Sequence, residues 1–583
     1  MTRRSAFAYV VVILSLAIGS ESRGQVIEPL LEQRVAASDP NDLLPVIVTL
    51  SAKKDVKAVV SPDMTKKQRR AKVVAELRNY AATTQAPIID EMRNLGAINI
   101  KRLWIVNSIA AHVPAGAIDD VAAIPGVQSI QLDTTMNAPA LEPGTGVTPE
   151  WNIDAIGAPE LWNLGYRGQG VVVASLDTGV ELEHPDLLPR WRGGTNSWFD
   201  PYDATESPFD LAGTSTGHGT HVMGLIVGGD AGGTAIGVAP EAKWIAAKIF
   251  DTNGDAPRSI IHLGFQWLLD PDGNSATNDA ADVVNASFGF DSPGCDLEFE
   301  PDIAVLKLAA IAFVAAAGNS GPASNTSVSP ANNPSSFAVG SVDAASSIAA
   351  DSSRGPSACD GTIFPDVAAP GVDVDTADVF SLGDPVYFTV SGTSFAAPHV
   401  TGAMALLLSA SPDLTPEQLE LALQQSALDI GAVGPDNDTG YGSIDVLEAF
   451  NRLTASADAD GDGFVASLDC NDKDPSIYPG AIETKFDGID QDCNGYDLTI
   501  KIAKAIYNTR YDLLLVEASS RLGKNAKLTL VGYGPMKWSR LLRRWLIVVR
   551  PAGGNPGSVA VSGIEGTEVA TVRPVTAQAA LAQ

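Results

Sequence analysis

The chain has 583 residues, enough for about three or four domains, and 45% of them are hydrophobic, so it can bury substantial cores. The formal net charge of −30 argues against nucleic acid as a partner, because phosphate binding requires clustered Lys and Arg side chains. An acidic excess of this size is typical of a soluble surface, and also of aspartates that bind cations.

The first 24 residues have the pattern of an export signal. Arg3 and Arg4 form a basic start, residues 6–18 are almost wholly apolar, and small residues follow. The apolar run is shorter than the roughly 20 residues of a membrane-spanning helix, and no later stretch approaches that length. We therefore predict a signal peptide over residues 1–24 and a secreted, extracellular protein with no membrane span. An uncleaved anchor is the alternative.

Residues 25–145 are predicted to form a small α+β unit. Strand patterns cover residues 44–50, 98–106, 108–113 and 127–132, and helical patterns cover residues 66–95 and 115–123. A linker rich in Pro, Gly and Thr follows over residues 137–149, which indicates an exposed connection.

Residues 146–455 are predicted to form an α/β domain. Short β-branched runs cover residues 171–176, 243–249, 283–286, 311–316 and 336–342, and helical patterns lie between them. This alternation predicts βαβ units and a parallel sheet covered by helices on both faces, which is a three-layer α/β fold.

The last two segments differ sharply in composition. Residues 456–497 are dense in Asp, Gly and Asn. Residues 498–583 contain strand-like runs over 512–517, 526–531, 545–549 and 558–562, which predict a small C-terminal β domain.

Three segments of the α/β domain carry residues suited to catalysis. Asp177 ends the run V-V-V-A-S-L-D-T-G, at the carboxyl end of a predicted parallel strand, where the sites of α/β proteins form. His218 lies between two glycines in G-H-G-T-H and begins a helical run. Ser394 opens an apolar helix in S-G-T-S-F-A-A-P-H, and Pro398 is expected in the first turn of that helix. Taken singly, the aspartate could cap a turn and the serine a helix.

Together, in the order Asp, His, Ser, these segments resemble the signature blocks of the subtilisin-like serine proteases, or subtilases. The order differs from the Ser, Asp, His order of α/β-hydrolases. The resemblance covers roughly residues 151–450, and with Cys295 and Cys359 it is most similar to the bacillopeptidase F-like members.

The resemblance implies a secreted serine endopeptidase that needs no cofactor for catalysis. Ser394 would be the nucleophile, His218 the general base and Asp177 the residue that orients the imidazole. Asn319, in A-A-A-G-N-S-G, matches the asparagine of the oxyanion hole and would act with the backbone N–H of Ser394. The alternative is a catalytically inactive homologue that acts as a cell-surface or binding module.

The same resemblance implies how substrates and an inhibitor bind. Ser287, Phe288 and Gly289, in V-N-A-S-F-G, resemble the strand that lines the cleft for protein or peptide substrates, and they suggest an open apolar cleft. Residues 25–145 resemble a subtilase pro-domain, which assists folding and inhibits its own protease until the linker is cut, here near residues 135–150. A permanent N-terminal domain is the alternative.

The chain has four cysteines: Cys295, Cys359, Cys470 and Cys493. An even number in an exported chain permits two disulfides, and sequence alone does not prove their pairing. Their grouping by segment suggests Cys295–Cys359 and Cys470–Cys493. A zinc site is not predicted, because no C-x-x-C pair is present.

The acidic segment begins with a loop of metal-binding type. In D-A-D-G-D-G-F-V-A-S-L-D, Asp458, Asp460 and Asp462 take positions 1, 3 and 5 of an EF-hand loop, Gly463 takes position 6 and Asp469 position 12. Asp instead of Glu at position 12 suggests a dockerin- or thrombospondin-like loop without a full helix pair.

A second cluster, containing Asp490, Asp492 and Asn494, repeats this spacing. The whole segment resembles the Asp-rich, Cys-containing calcium motif of secreted bacterial proteins, so we predict structural calcium here. A solvated acidic linker is the alternative. Asp186, in H-P-D-L, matches a calcium ligand of subtilase catalytic domains, but the loop before Ile236 lacks the usual Asn-bearing sequence and leaves that site undecided. The C-terminal β domain is a candidate for binding a cell-surface ligand.

Overall fold

A computed structural model describes residues 26–61, 64–140, 151–379, 387–455, 458–462, 464, 469–550, 552 and 554–575. The predicted signal peptide and Gly463 lie outside these residues, as does most of the linker before residue 151. Within the described chain, no helix has the length and hydropathy that a membrane-spanning segment requires.

The N-terminal unit is a four-stranded antiparallel sheet in the order β2-β3-β1-β4, covered by helices. Its elements are α1 (Pro29–Ala36), β1 (Leu43–Leu50), α2 (Lys66–Asn94), β2 (Ile98–Leu103), β3 (Ser108–Pro114), α3 (Ile118–Ala122) and β4 (Val127–Leu132). Thr65 and Gln68 form a capping box that begins α2. The predicted strand over 98–106 ends early, at Leu103, and the predicted helix over 115–123 starts with a 3₁₀ turn.

The central unit is built on a seven-stranded sheet in the order β13-β12-β11-β10-β6-β8-β7, with every pair parallel. The sheet strands are β6 (Val172–Asp177), β7 (Trp198–Phe199), β8 (Lys243–Lys248), β10 (Val283–Ala286), β11 (Ala312–Ala316), β12 (Phe337–Val342) and β13 (Val367–Pro370). The prediction missed β13, because V-A-A-P is short and ends in proline. Four short strands form two separate pairs outside this sheet: β5 (Thr135–Asn137) pairs with β9 (Asp255–Pro257), and β14 (Val374–Ala377) pairs with β15 (Tyr387–Val390).

Helices cover both faces of this sheet. They are α4 (Trp151–Ala155), α5 (Ala158–Asn163), α6 (His218–Val227), α7 (Arg258–Leu269), α8 (Glu300–Leu308), α9 (Thr393–Ala410), α10 (Pro416–Ser426) and α11 (Val446–Ala455). Apolar side chains of α6 and α9 share one core cluster with the sheet, and those of α7 and α8 share another. Two cores separated by one sheet confirm the predicted three-layer α/β fold.

The C-terminal unit is a β domain with its own core, as predicted. One sheet has the order β20-β21-β17-β16-β24 and the other the order β19-β18-β22-β23. The strands are β16 (Lys501–Asn508), β17 (Leu513–Ser519), β18 (Thr529–Leu530), β19 (Gly534–Pro535), β20 (Lys537–Ser539), β21 (Arg544–Val549), β22 (Ser558–Gly563), β23 (Gly566–Thr571) and β24 (Arg573–Val575).

Both suggested disulfides are present. Cys295 is bonded to Cys359 in the central unit, and Cys470 is bonded to Cys493 in the acidic segment. The second bond crosslinks a stretch in which the described residues form neither helix nor strand, so loops and side chains must hold this stretch together.

Candidate active site

A hydrogen bond joins the first two predicted catalytic residues. Asp177 is the last residue of β6, an interior strand between β10 and β8, and His218 is the first residue of α6. His218 Nδ1 lies 2.8 Å from Asp177 Oδ1, and both side chains are buried. Because a carboxylate only accepts, Nδ1 carries the proton and Nε2 is the basic nitrogen. Gly219 allows this close approach, since a Cβ there would lie 2.1 Å from the carbonyl oxygen of Gly179.

The surroundings of His218 set its basicity. Burial alone would lower the pKa of the imidazole, but the charge and hydrogen bond of Asp177, together with the charge of Asp210, raise that pKa above its ordinary 6.5. Nε2 is buried and has no hydrogen-bond partner among the described residues. The ring therefore holds an unsatisfied acceptor, which is what a general base requires.

Ser394 lies at the start of α9, after a turn that only glycine adopts readily. Gly392 has φ +136°, and the helix begins at Thr393. The hydroxyl of Ser394 donates to the carbonyl of Ser287 at 3.3 Å. The structure thus shows the predicted Asp–His pair bonded, while the hydroxyl of Ser394 donates to the residue that follows β10.

Pro398 is the sixth residue of α9 and therefore lies in the second turn, not in the first as predicted. Its missing N–H leaves the carbonyl of Ser394 without the donor that a helix normally supplies. The hydroxyl of Ser287 replaces that donor at 2.7 Å and itself accepts from Asn285 Nδ2 at 2.8 Å. Thr401, further along α9, donates to Asn285 Oδ1 at 3.0 Å. This buried network attaches the start of the helix to the sheet.

Asn319 follows β11 and lies against the start of α9. Its Oδ1 accepts from the backbone N–H of Thr393 at 3.0 Å and from the Thr393 hydroxyl at 2.8 Å. These two hydrogen bonds fix the plane of the Asn319 amide. Its Nδ2 lies 3.3 Å from the position that a Cβ on Gly392 would occupy, so it faces the turn before α9. Nδ2 has no partner in the described part of the chain, and its N–H groups are available beside Ser394.

The acidic segment brings carboxylates together in three groups whose oxygens lie within 4.8 Å of one another. The groups are Asp458, Asp460 and Asp472; Asp460, Asp462 and Asp469; and Glu483, Asp490 and Asp492. In the second group, each residue has a buried Oδ2 without a hydrogen-bond partner. Burial and the neighbouring carboxylates raise the pKa of Asp462, Asp469 and Asp492, the last to about 6. Convergent, unsatisfied oxygens fit a hard cation.

The structure adds two residues to the predicted ligand set. Asn494 stays a predicted ligand: its Nδ2 donates to Asp492, and its Oδ1 accepts from the N–H of Tyr496 through one of its two lone pairs. Asp472 and Glu483 were not predicted, because they lie outside the loop spacing and the fold brings them in. Asp186 already has both oxygens satisfied, one by the N–H of Ala231 and the other by the hydroxyl of Tyr387.

Comparison with known proteins agrees with this geometry. The Subtilase family model matches residues 168–442. The chain is 32% identical over 361 residues to subtilisin E of Bacillus subtilis (strain 168), an alignment that covers 62% of this chain and 85% of that protein. The chain belongs to the subtilase family.

Alignments with two other relatives cover different shares of the two proteins. This subtilase is 33% identical over 467 residues to bacillopeptidase F of Bacillus subtilis (strain 168), and that alignment covers 73% of this chain but only 32% of bacillopeptidase F. It is 36% identical over 284 residues to subtilisin of Bacillus pumilus, covering 48% of this chain and 92% of that protein. The chain thus spans about a third of bacillopeptidase F. A second family model matches residues 469–497. Its name refers to copper binding, and its description is that of a metal-binding motif.

The predicted substrate-binding residues of this subtilase have different roles. Ser287 belongs to the buried network behind the nucleophile. The side chain of Phe288 is buried and packs edge-to-face on Phe250, so it belongs to the core and does not line an open cleft. Gly289 is half-buried, and a Cβ on it would lie 3.1 Å from Cγ2 of the buried Val328. Its role in substrate binding stays a prediction.

Two buried charges near the subtilase triad were not predicted. Asp210 Oδ2 accepts from the backbone N–H of Thr220 at 2.9 Å and from its hydroxyl at 2.7 Å, which holds the first turn of α6. Lys248 Nζ donates to the carbonyls of Thr178 and Leu211 at 2.5 and 2.6 Å. These bonds join the segments that carry the predicted catalytic residues Asp177 and His218. In the sequence, the position of Lys248 within the apolar run A-A-K-I-F could have indicated a buried charge here.

The second histidine of the G-H-G-T-H motif is a packed core histidine. His221 is buried, stacks on Phe388 and is bonded through Nε2 to Asp378 at 2.8 Å. It therefore supports the neighbourhood of the triad without facing the nucleophile.

Proposed function

We propose that this subtilase is a secreted serine endopeptidase that is made as a zymogen and acts through an acyl-enzyme. The observation that supports this best is the buried Asp177–His218 hydrogen bond, which leaves Nε2 as an unsatisfied base near the start of the helix that carries Ser394.

In the proposed reaction, His218 Nε2 removes the proton of Ser394 Oγ as the oxygen attacks the peptide carbonyl. The oxyanion accepts hydrogen bonds from Asn319 Nδ2 and the backbone N–H of Ser394. When the C–N bond breaks, His218 gives the proton to the leaving amine, and Asp177 stabilises the imidazolium meanwhile. Water then repeats the sequence and releases the acid.

Casein cleavage by the purified protein tests this function. Ser394→Ala should abolish cleavage, and Asn319→Ala should lower kcat by about 10²–10³, the magnitude known for the corresponding loss in subtilisin. Equal rates for the parent and Ser394→Ala would instead support the inactive binding-module alternative.

The path of the chain after the N-terminal unit supports inhibition by that unit. Strand β5 runs antiparallel to β9, and the N–H of Ala138 donates to the carbonyl of Gly254 at 2.7 Å. The hydroxyl of Ser215, just before α6, approaches the carbonyl of Ala138 at 3.4 Å. An extended segment that pairs here leads toward His218 and occupies space that a peptide substrate would need.

A buried arginine anchors the same unit far from the cleft. Arg70 of α2 is 4% exposed, and its guanidinium donates to the carbonyl of Ala281 at 2.8 Å and to Asp282 Oδ1 at 3.0 Å. It also reaches the carbonyls of Ala309 and Ala310 at 3.3 Å. Separation of the two units would break these hydrogen bonds of the buried guanidinium, which costs free energy. Arg70 should therefore hold the proposed pro-domain in place.

The mass of the secreted product tests the zymogen proposal, because it should lack the N-terminal unit up to residues 135–150. Arg70→Ala should shorten the delay before casein activity appears. Arg93→Ala, which removes an exposed arginine from the same helix, is the matched control. A product that retains the unit at full activity would support a permanent N-terminal domain.

We further propose calcium for the acidic segment. The described donors are carboxylate oxygens, both cysteines are in a disulfide, and residues 456–497 contain neither His nor Met. Copper prefers imidazole and sulfur ligands, whereas calcium takes oxygen ligands, and modules of this class bind it at about 10⁻⁴–10⁻³ M. Calorimetric titration of the Ser394→Ala protein with each ion distinguishes them, and Asp460→Asn should remove the calcium heat.

A further inference from the structure

The C-terminal unit differs in charge from the rest of the chain. Residues 498–583 contain twelve Lys and Arg but only four Asp and Glu, in a protein whose formal net charge is −30. A cationic domain on a strongly acidic protein makes the electrostatic field of the molecule uneven. Such a field favours one orientation of the protein at a charged surface.

One hairpin of this unit presents apolar and cationic side chains together. Strands β20 and β21 pair antiparallel from Lys537–Leu546 to Ser539–Arg544, and residues 540–543 form the tip. Leu541 is 91% exposed and Leu542 is 52% exposed. Arg540 and Arg543 flank them, and neither makes an ion pair among the described residues.

The base of the hairpin is firmly attached. Trp538 and Trp545 face each other across the two strands with ring centroids 5.6 Å apart. Trp545 is buried and its Nε1 donates to the carbonyl of Gly523 at 2.9 Å. Strand β21 also pairs with β17 in the middle of the sheet. The leucines are thus held outward by a packed base.

We propose that this hairpin docks the protein on an anionic lipid surface. Leu541 and Leu542 would enter the interfacial region, while Arg540 and Arg543 would bind lipid phosphates, for which the guanidinium geometry is suited. Arginines alone would suffice for a soluble polyanion, but two adjacent exposed leucines gain stability only in an apolar phase. The acidic remainder is repelled from the same surface, which turns the hairpin toward it.

Co-sedimentation of the full-length Ser394→Ala protein with vesicles tests the proposal. It should bind vesicles of mixed phosphatidylglycerol and phosphatidylcholine and not vesicles of phosphatidylcholine alone. The double variants Leu541→Ser/Leu542→Ser and Arg540→Glu/Arg543→Glu should each bind about tenfold more weakly or worse. Tryptophan emission should shift to shorter wavelength when the parent binds vesicles, because Trp538 lies beside the inserted tip, and this shift should be lost in both double variants.

The matched control is Val569→Ser/Arg573→Glu, which removes an exposed apolar side chain and a cation elsewhere on the unit. It should bind like the parent, and all variants should keep the parent melting temperature. Equal binding to both vesicle types, an unaffected leucine variant, or an equal loss in the control would overturn the proposal. So would retention on heparin without vesicle binding, because that would identify a soluble polyanion site.

Discussion

Replacing Ser287 by alanine should shift the backbone of Ser394, the proposed nucleophile, while leaving the side chains of the proposed triad unchanged. The hydroxyl of Ser287 supplies the donor that Pro398 denies to the carbonyl of Ser394, and it accepts from Asn285 Nδ2. All of these groups are buried. Ser287→Ala therefore leaves one carbonyl and one amide N–H without partners, in a place that water does not reach.

Each orphaned group costs about 1–3 kcal/mol, so the free energy of unfolding should fall by at least about 2 kcal/mol. For a domain of about 300 residues, with an unfolding entropy of about 2.1 cal/mol/K per residue, that corresponds to a melting temperature lower by about 3 °C or more. Because a misplacement of about 1 Å costs about 10²-fold in rate, kcat/KM should fall by up to that factor.

Pro398→Ala provides an internal test. An alanine at 398 restores a helical N–H that can donate to the carbonyl of Ser394, so Ser287→Ala should cost about half as much in the Pro398→Ala background. Melting is measured in Ser394→Ala protein, which cannot digest itself, and kcat/KM is measured with a peptide substrate in the active protein. Ser175→Ala is the control, since that buried hydroxyl has no partner.

The reasoning would be refuted if Ser287→Ala melted and cleaved like Ser175→Ala, or if its cost were the same with proline and with alanine at position 398. In either case, the bond from Ser287 would not be what holds Ser394.

Three further outcomes are expected. Asp210→Asn removes a charge that raises the pKa of His218, so the acidic limb of the kcat/KM–pH profile should move to lower pH; an unmoved limb would contradict this. Replacing Cys295 and Cys359 together by serine removes a crosslink across 64 residues and should cost about 4 kcal/mol, seen as a lower melting temperature. Val328→Gly enlarges the space beside Gly289, where a Cβ would now lie 3.1 Å from Val328 Cγ2. Because the segment that contains Gly289 is predicted to line the substrate cleft, kcat/KM for peptides with large residues before the scissile bond should rise relative to small ones, measured with paired chromogenic peptides.

The sequence alone determined the features that depend on local backbone constraints. Asp177 at a strand end, His218 between glycines and Ser394 at a helix start each need a particular short motif, and their order along the chain identified the family. The alternation of β-branched and helical segments likewise predicted the parallel sheet, because each strand is buried on both faces.

Only the tertiary structure decided the interactions between distant segments. Asp210 acquires its role from the N–H and hydroxyl of Thr220, and Lys248 and Arg70 acquire theirs from carbonyls that the fold brings to them. Glu483 joins a group of carboxylates through loop packing. Phe288 is a further example. Its sequence motif identified the strand but did not indicate that the phenyl ring would lie in the core. A local pattern specifies a backbone shape, whereas the partner of a buried charge depends on which other segment arrives beside it.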